Sequence, residues 1–320
     1  YKAKDKEVKS RCRADKDIWF GNRVAEADTA AKQGDSKTLY RIVKELSGKA
    51  MQKLPINDAN GKPLKSHEEQ AKRWKEHFKT ILNCPEPEII HEFDNTHVEE
   101  LNIDNGKVTV DEVYRVIRKM KNGKSAGIDG IQAELLKHGG EEMVNRLVQL
   151  CNQVWSEGEV PRDWKDGIVI PLPKKGDLKD CNNWRGITLL SVPGKVMAGI
   201  ILDRIKTAID NTLRQQQEGF RKGRSCCEQI FILLRQIVEK ATALDTNLLI
   251  NFIDFKKAFD CLHRPSVWNI IKSYGIPENI IKIIKSLYEG RRCAVRTAGR
   301  PGDWFEIISL HHWGQTGMPT

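Results

Sequence analysis

An α+β chain is what this sequence predicts, on three observations. Apolar residues recur at helical spacing over several stretches, among them Ala71, Trp74, Phe78 and Leu82, and then Val113, Val116, Ile117 and Met120. Short runs rich in strand-forming residues stand between such stretches, at Ile168–Pro173, Leu248–Asp254 and Cys293–Ile308. At 320 residues, with 39% hydrophobic and 30% charged residues, the chain is globular and long enough for one or two cores.

Residues 1 to about 50 are rich in Lys and Arg, with Asp and Glu interspersed and few large apolar side chains. That composition predicts exposed helix with a solvated face rather than a dedicated binding site. Asp58-Ala59-Asn60-Gly61-Lys62 has the composition of a tight turn. Ser66-His67-Glu68-Glu69 is a capping box, whose serine and glutamate oxygens accept from N–H groups that a first helical turn leaves unpaired. Asn83-Cys84-Pro85-Glu86-Pro87 stops that helix, and an acidic, proline-containing linker runs on to about residue 106.

Thr109-Val110-Asp111-Glu112 opens the next helix, which leads into the turn from Lys121 to Gly130. Gly123-Lys124-Ser125 suggests a phosphate-binding loop, but that motif needs glycine where Arg118 stands, and no buried strand precedes it. What remains is a basic glycine turn whose amides and lysines touch phosphate or which is a plain loop.

Residues 131 to 158 predict one or two helices ending at Gly158, with Pro161 beyond. Ile168–Pro173 is a strand stopped by prolines, followed by Lys174-Lys175-Gly176-Asp177 and by Trp184–Leu190. Pro193 opens a helix with Val196, Ile200, Ile201, Ile205 and Ile209 inward. The basic loop Gly219–Ser225 precedes a helix with Ile230, Phe231, Leu234, Ile237, Val238 and Ala241 on one side. Pro265 and Pro277 mark helix starts, Gly275 and Gly290 close those helices, and Gly299-Arg300-Pro301-Gly302 joins the last two strands as a hairpin.

A net charge of +10 favours polyanionic partners, nucleic acid first and an anionic membrane second. The eight cysteines contain no C-x-x-C pair and no zinc-ligand spacing, which reads as reduced, intracellular thiols. No apolar run approaches the roughly twenty residues of a membrane span, and no signal peptide opens the chain. A nuclear or cytoplasmic protein without membrane attachment is expected. The first residue, Tyr1, suggests a fragment of a longer product.

The stretch from Leu248 to Asp260 concentrates the chemistry. An apolar run ends in Asp254, followed by Phe255, Lys256, Lys257, Phe259 and a second carboxylate, Asp260. A buried strand that delivers an acid to its end is a metal or catalytic candidate, while a turn-capping aspartate after a core strand is the simpler reading of the local pattern alone. Three basic clusters lie around it in sequence: Lys174/Lys175 with Arg185, Arg221/Lys222/Arg224, and Lys256/Lys257. Cations spread over several loops suit a polyphosphate gathered at a carboxylate, or are scattered surface charge.

From about Lys121 to Ile308 the chain resembles the reverse transcriptases of non-LTR, LINE-type retrotransposons, particularly those with an upstream endonuclease. Gly127-Ile128-Asp129-Gly130-Ile131, the Lys174–Leu190 block, Gly219–Ser225 and Phe252–Asp260 stand in that family's order and spacing. The resemblance implies a right-hand polymerase of which fingers and part of a palm are present, behind a helical N-terminal segment. It divides the chain into a basic helical linker region over 1–106, the reverse transcriptase fingers and partial palm over 107–309, and a tail over 310–320.

It further implies RNA template, DNA primer and dNTPs as partners and Mg²⁺ as cofactor. Asp254 would be the first metal-binding and catalytic aspartate, and the Phe255 carbonyl a further ligand. Phe259 would sit under the incoming sugar, and Lys174, Arg185 and Arg221 would face triphosphate or template. Two Mg²⁺ ions need several hard oxygen ligands.

The pattern breaks at its end. The family's adjacent pair of metal aspartates does not occur in this chain, and Leu310–Thr320 matches none of its motifs. If His312–Thr320 is written CAC TGG GGT CAG ACA GGG ATG CCT ACT, reading one nucleotide later spells Thr-Gly-Val-Arg-Gln-Gly-Cys-Leu, the family's missing motif. A slipped reading frame near Leu310 is therefore expected, along with a fragment that does not polymerise. The competing expectations are a non-catalytic RNA- or DNA-binding protein and a non-functional translated relic.

Overall fold

In a computed structural model, residues 2–46, 55–90, 99–255, 258–297 and 299–307 are described. They form helices and one four-stranded mixed sheet, an α+β arrangement as expected, in two compact units, residues 1–54 and 55–320. The expected tail over 310–320 lies outside the described residues.

The first unit is a helix pair, α1 (Lys2–Lys32) and α2 (Ser36–Leu46), whose chain reverses at Gly34. Ala30 and Ile42 are buried between the helices. Glu26 accepts from both Arg23 and Arg41, so charge pairs rather than a broad core hold the pair together. Most of α1 is solvated, as its composition predicts.

In the second unit the Asp58 turn forms as expected: the Asp58 carboxylate accepts from the Asn60 and Lys62 amides, and Asn57 bridges to Pro63. Both capping boxes are present. Ser66 and Glu69 start α3 (His67–Leu82), and Thr109 and Glu112 start α4 (Val110–Lys119). Then come α5 (Ala133–His138), α6 (Gly140–Glu157), ended by left-handed Gly158, and the short α7 (Arg162–Lys165). Strands β1 (Gly167–Pro173) and β2 (Trp184–Leu189) follow, then α8 (Val192–Asp210) with its proline in the first turn.

Beyond the Gly219 loop a helix runs as α9 (Cys226–Gln229), a π-turn (Ile230–Leu234) and α10 (Arg235–Ala243). The last elements are α11 (Arg264–Ser273), α12 (Glu278–Tyr288), β3 (Arg292–Thr297) and β4 (Arg300–Glu306). The final hairpin is tighter than expected, because Arg300, Pro301 and Gly302 already belong to β4.

The main core packs α4, α6, α8 and α12 through Val113, Ile117, Val154, Val196, Ile200 and Ile280. Burying each such side chain stabilises the fold by about 1.5–3 kcal/mol. A second core lays Trp74 and Phe78 of α3 on Val169, Val295 and Phe305 of the sheet. Sheet order is β2-β1-β3-β4, with β1 antiparallel to β2 and parallel to β3. The parallel pair begins at Gly167↔Cys293, one residue after buried Asp166 accepts from Arg292 at 2.5 and 3.3 Å. That ion pair pins the register at its first rung. Beyond Val169 the strand β1 is paired to β2 alone, and the stretch therefore accommodates Pro171 and Pro173, which have no N–H to donate.

Two expectations fail. Leu248–Phe255 is not a buried strand: it is irregular and exposed, because among the described residues no strand edge pairs with it. The helix face of Ile230, Phe231, Ile237 and Val238 is likewise exposed rather than packed.

Candidate functional site

The ends of β1 and β2 build the best-defined cationic site. Lys174, the first residue past β1, donates its backbone N–H to the Asn183 carbonyl at 2.8 Å, carrying the strand pairing one step further. The intervening loop is stitched by its own polar groups. Asp180 accepts from the Asn182 amide at 2.9 Å, Asn183 donates to the Asp177 carbonyl at 2.8 Å, and the Trp184 indole donates to the Leu178 carbonyl at 2.9 Å.

Arg185 lies opposite Leu172 and is exposed. The next residue must be glycine: a Cβ at position 186 would stand 2.6 Å from Cε1 of Phe78 and 3.1 Å from Val169, so only glycine lets α3 lie against this strand. Lys174, Trp184 and Arg185 then line a cavity of about 200 Å³ together with Phe78, Leu82 and Asp260. Two cations on an apolar floor can hold a phosphate oxygen by charge-assisted hydrogen bonds, with Asp260 as the competing anion.

The other expected site residues are not gathered there. Arg221 is 4% exposed, and its guanidinium donates to the Asp210 carboxylate at 2.8 Å and to the carbonyls of Asp210, Arg214 and Gln217. That pairing holds the Asp210 carboxyl below its ordinary range and fastens the loop after α8. Asp254 and Phe255 lie in the exposed irregular segment, outside the cavity lining. Phe259 is 77% exposed and meets Phe220 edge-on at 6.1 Å between ring centroids. Phe220 has φ of +64°, strained for a bulky residue, so the Gly219 loop and the Phe259 segment meet through two exposed rings. Lys256 and Lys257 lie outside the described residues.

In the glycine turn the Gly123 amide donates to Glu134, and Lys137 donates to the Met120 carbonyl and to Asn122, so this turn is tied to α5. Gly127 lies so close to the Ser191 backbone that a Cβ would come within 2.5 Å of its nitrogen. Burial pushes the nearby Lys195 ammonium below its ordinary range, with Asp129 acting against it.

Two features were missed from sequence. Asp260 was read as the second carboxylate of the Leu248–Asp260 stretch, with no signal to place it at the wall of the Lys174 cavity. Cys84 and Cys261 are joined as a disulfide with Cα atoms 5.4 Å apart, against the expectation of reduced thiols. Their separation of 177 residues carries no spacing signal.

Residues 172–306 match the family model described as reverse transcriptase (RNA-dependent DNA polymerase). The matched region holds the cavity's two cations, the Phe259 segment and all but the start of the sheet. The chain is 25% identical over 301 residues, 91% of its length, to a probable RNA-directed DNA polymerase from transposon BS of Drosophila melanogaster. It is 30% identical over 189 residues, 58% of its length, to a putative 115 kDa protein of the type-1 retrotransposable element R1DM of the same organism. It is 26% identical over 189 residues, 59% of its length, to an uncharacterized 149 kDa protein of transposon TX1 from Xenopus laevis.

The chain resembles the reverse transcriptases of non-LTR retrotransposons, with the family match confined to residues 172–306. The chain spans 33%, 18% and 14% of the length of these three relatives. Reverse transcriptases as a family act on template, primer and dNTPs and use divalent metal ions. Among the described residues no group of three or more His, Cys, Asp or Glu is placed to hold a metal ion, and Asp254 stands in an exposed segment. The residues as arranged do not fit an Mg²⁺ pair. No helix among the described residues is long and apolar enough to cross a membrane.

Proposed function

We propose that this chain is the fingers and partial palm of a right-hand, RNA-directed DNA polymerase from a non-LTR retrotransposon, and that as it stands it binds polyphosphate and nucleic acid without extending a primer. The observation that carries this reading is the convergence of Lys174 and Arg185 on one cavity inside the reverse transcriptase domain. These two residues are the contacts for the dNTP triphosphate or the template backbone. Phe259, next to the cavity residue Asp260, is the residue under the incoming sugar. Arg221 acts as a positioning residue of the Gly219 loop through Asp210. Phosphoryl transfer on two metals needs several carboxylates at one point, and among the described residues no group of three or more His, Cys, Asp or Glu is placed to supply them.

The test pairs two measurements on purified protein. Inorganic tripolyphosphate is expected to bind, with Lys174→Gln and Arg185→Gln each weakening it about 10- to 100-fold, the worth of one charge-assisted hydrogen bond. Primer extension on an RNA template with Mg²⁺ or Mn²⁺ is expected to give no product. Incorporation of dNTPs that Asp254→Ala abolishes would overturn the inactive reading, and unchanged tripolyphosphate affinity in both variants would overturn the assignment of the cavity.

A second reading draws on the exposed Leu248–Phe255 run, in which Leu249, Phe252, Ile253 and Phe255 face solvent. A translated relic with unsatisfied palm segments would aggregate rather than bind. Soluble expression with one cooperative melting transition excludes it. The frame slip near Leu310 belongs with either reading and is decided by the coding DNA beneath Trp313–Thr320.

A further inference from the structure

The Cys84–Cys261 bond is a covalent link between the segment after α3 and the segment before α11. Cys84 follows the end of α3 by two residues, and Cys261 directly follows Asp260. Among the described residues, no hydrogen bond or ion pair fastens Phe259, Asp260 or Leu262 to α3 or to the sheet. Phe259 meets Phe220 edge-on, between two exposed rings. The disulfide is thus a covalent tie on the residue next to Asp260, which lines the Lys174–Arg185 cavity.

The same bond is open to reagents. Cys261 is exposed and Cys84 half-buried. A second cavity of about 770 Å³ is lined by both cysteines, by Pro85, by the carboxylates of Glu86, Glu88 and Asp260, and by His263 and Arg264. That volume accommodates a tripeptide-sized thiol. Leu82 and Asp260 line both cavities, so the sulfur pair lies where movement in one is felt in the other.

We propose that Cys84–Cys261 is a thiol–disulfide exchange site for a small monothiol, probed with glutathione, and that its state sets whether Asp260 stays at the wall of the Lys174–Arg185 cavity. In reduction, the thiolate of one monothiol attacks the Cys261 sulfur, breaking the S–S bond and releasing the Cys84 thiolate, which takes up a proton. A second monothiol attacks the resulting mixed disulfide, freeing Cys261 and leaving the small-molecule disulfide; two thiols have then given two electrons to the protein pair. The small-molecule disulfide drives the reverse reaction. In the oxidised form Asp260 competes with an incoming phosphate for the two cations, and reduction releases it. This last consequence rests on the phosphate reading of the cavity.

The experiment equilibrates the full chain in glutathione buffers from fully reduced to fully oxidised, then measures three things. Acid quenching, alkylation and peptide mass spectrometry are expected to find Cys84 and Cys261 peptides linked in oxidising buffer and separate in reducing buffer. Amide hydrogen exchange over Phe259–Leu262 is expected to quicken on reduction, and in Cys84→Ser to be fast at every redox ratio. Tripolyphosphate is expected to bind roughly five- to tenfold more tightly to the reduced protein, a difference that Asp260→Asn removes. No linked peptide at any ratio, or identical exchange over Phe259–Leu262 in both forms, overturns the proposal. Tripolyphosphate binding to neither form overturns the phosphate reading alone, because hydrogen exchange still decides the latch.

Discussion

Replacing Arg204 with Met tests what holds the helical layer together. The Arg204 side chain is 4% exposed and donates to both Glu112 oxygens, at 2.7 and 2.9 Å, and to the carbonyls of Asp104, Gly106 and Lys107 at 2.8–3.1 Å. Its guanidinium also lies over the Trp155 ring at 4.5 Å. One side chain on α8 thereby ties α4, α6 and the loop before α4. The three carbonyls belong to exposed residues and find water when Arg204 is lost. Glu112, 14% exposed, keeps only the bonds from the Thr109 amide and hydroxyl.

Breaking a buried pair from one side costs about 3–5 kcal/mol. Partial access of Glu112 to water and its two remaining bonds put this case near the lower end, at about 3 kcal/mol. With a urea slope of about 2–3 kcal/mol/M, the unfolding midpoint should fall by about 1 M. A cycle with Glu112→Gln should show strong non-additivity, since the two residues share one interaction. A loss under about 1 kcal/mol, or simple additivity, would refute the reasoning.

The same pair sets an acid limb. Burial pushes the Glu112 carboxyl up, but hydrogen bonds from Arg204 and Thr109 outweigh it and hold the group below its ordinary 4.5. A carboxyl whose folded pKa is depressed contributes stability that is complete above the unfolded value and lost as pH falls through the folded one. Unfolding free energy should therefore decline as pH drops below about 4.5, and Glu112→Gln should flatten that decline.

Two further predictions concern the sheet. Gly186→Ala places a Cβ into Phe78 and should destabilise the protein by about 1–3 kcal/mol in urea titration, with Phe78→Leu restoring part of the loss. Asp166→Asn removes the carboxylate that pairs with Arg292 beside the first rung of the β1–β3 pair, leaving Glu306 as its charged neighbour. It should cost about 3 kcal/mol and speed amide exchange at Ile168 and Val169, whereas unchanged exchange there would show that the ion pair does not set the register.

The local grammar of this chain was legible in its residues. The two capping boxes, the Asp58 turn, the proline-opened helices and the glycine stops are decided within a few residues, because the groups they satisfy are neighbours along the backbone. The family, too, was written in the order of its motifs. Non-local partners were not legible. Leu248–Phe255 has every property of a strand except an edge to pair with, and pairing is a property of two segments rather than one. Arg221 reads as a phosphate contact until Asp210 and three carbonyls are found around it. Asp260 and the Cys84–Cys261 bond came to the Lys174–Arg185 cavity only through folding, which alone brings residues 84, 174, 185 and 260 together.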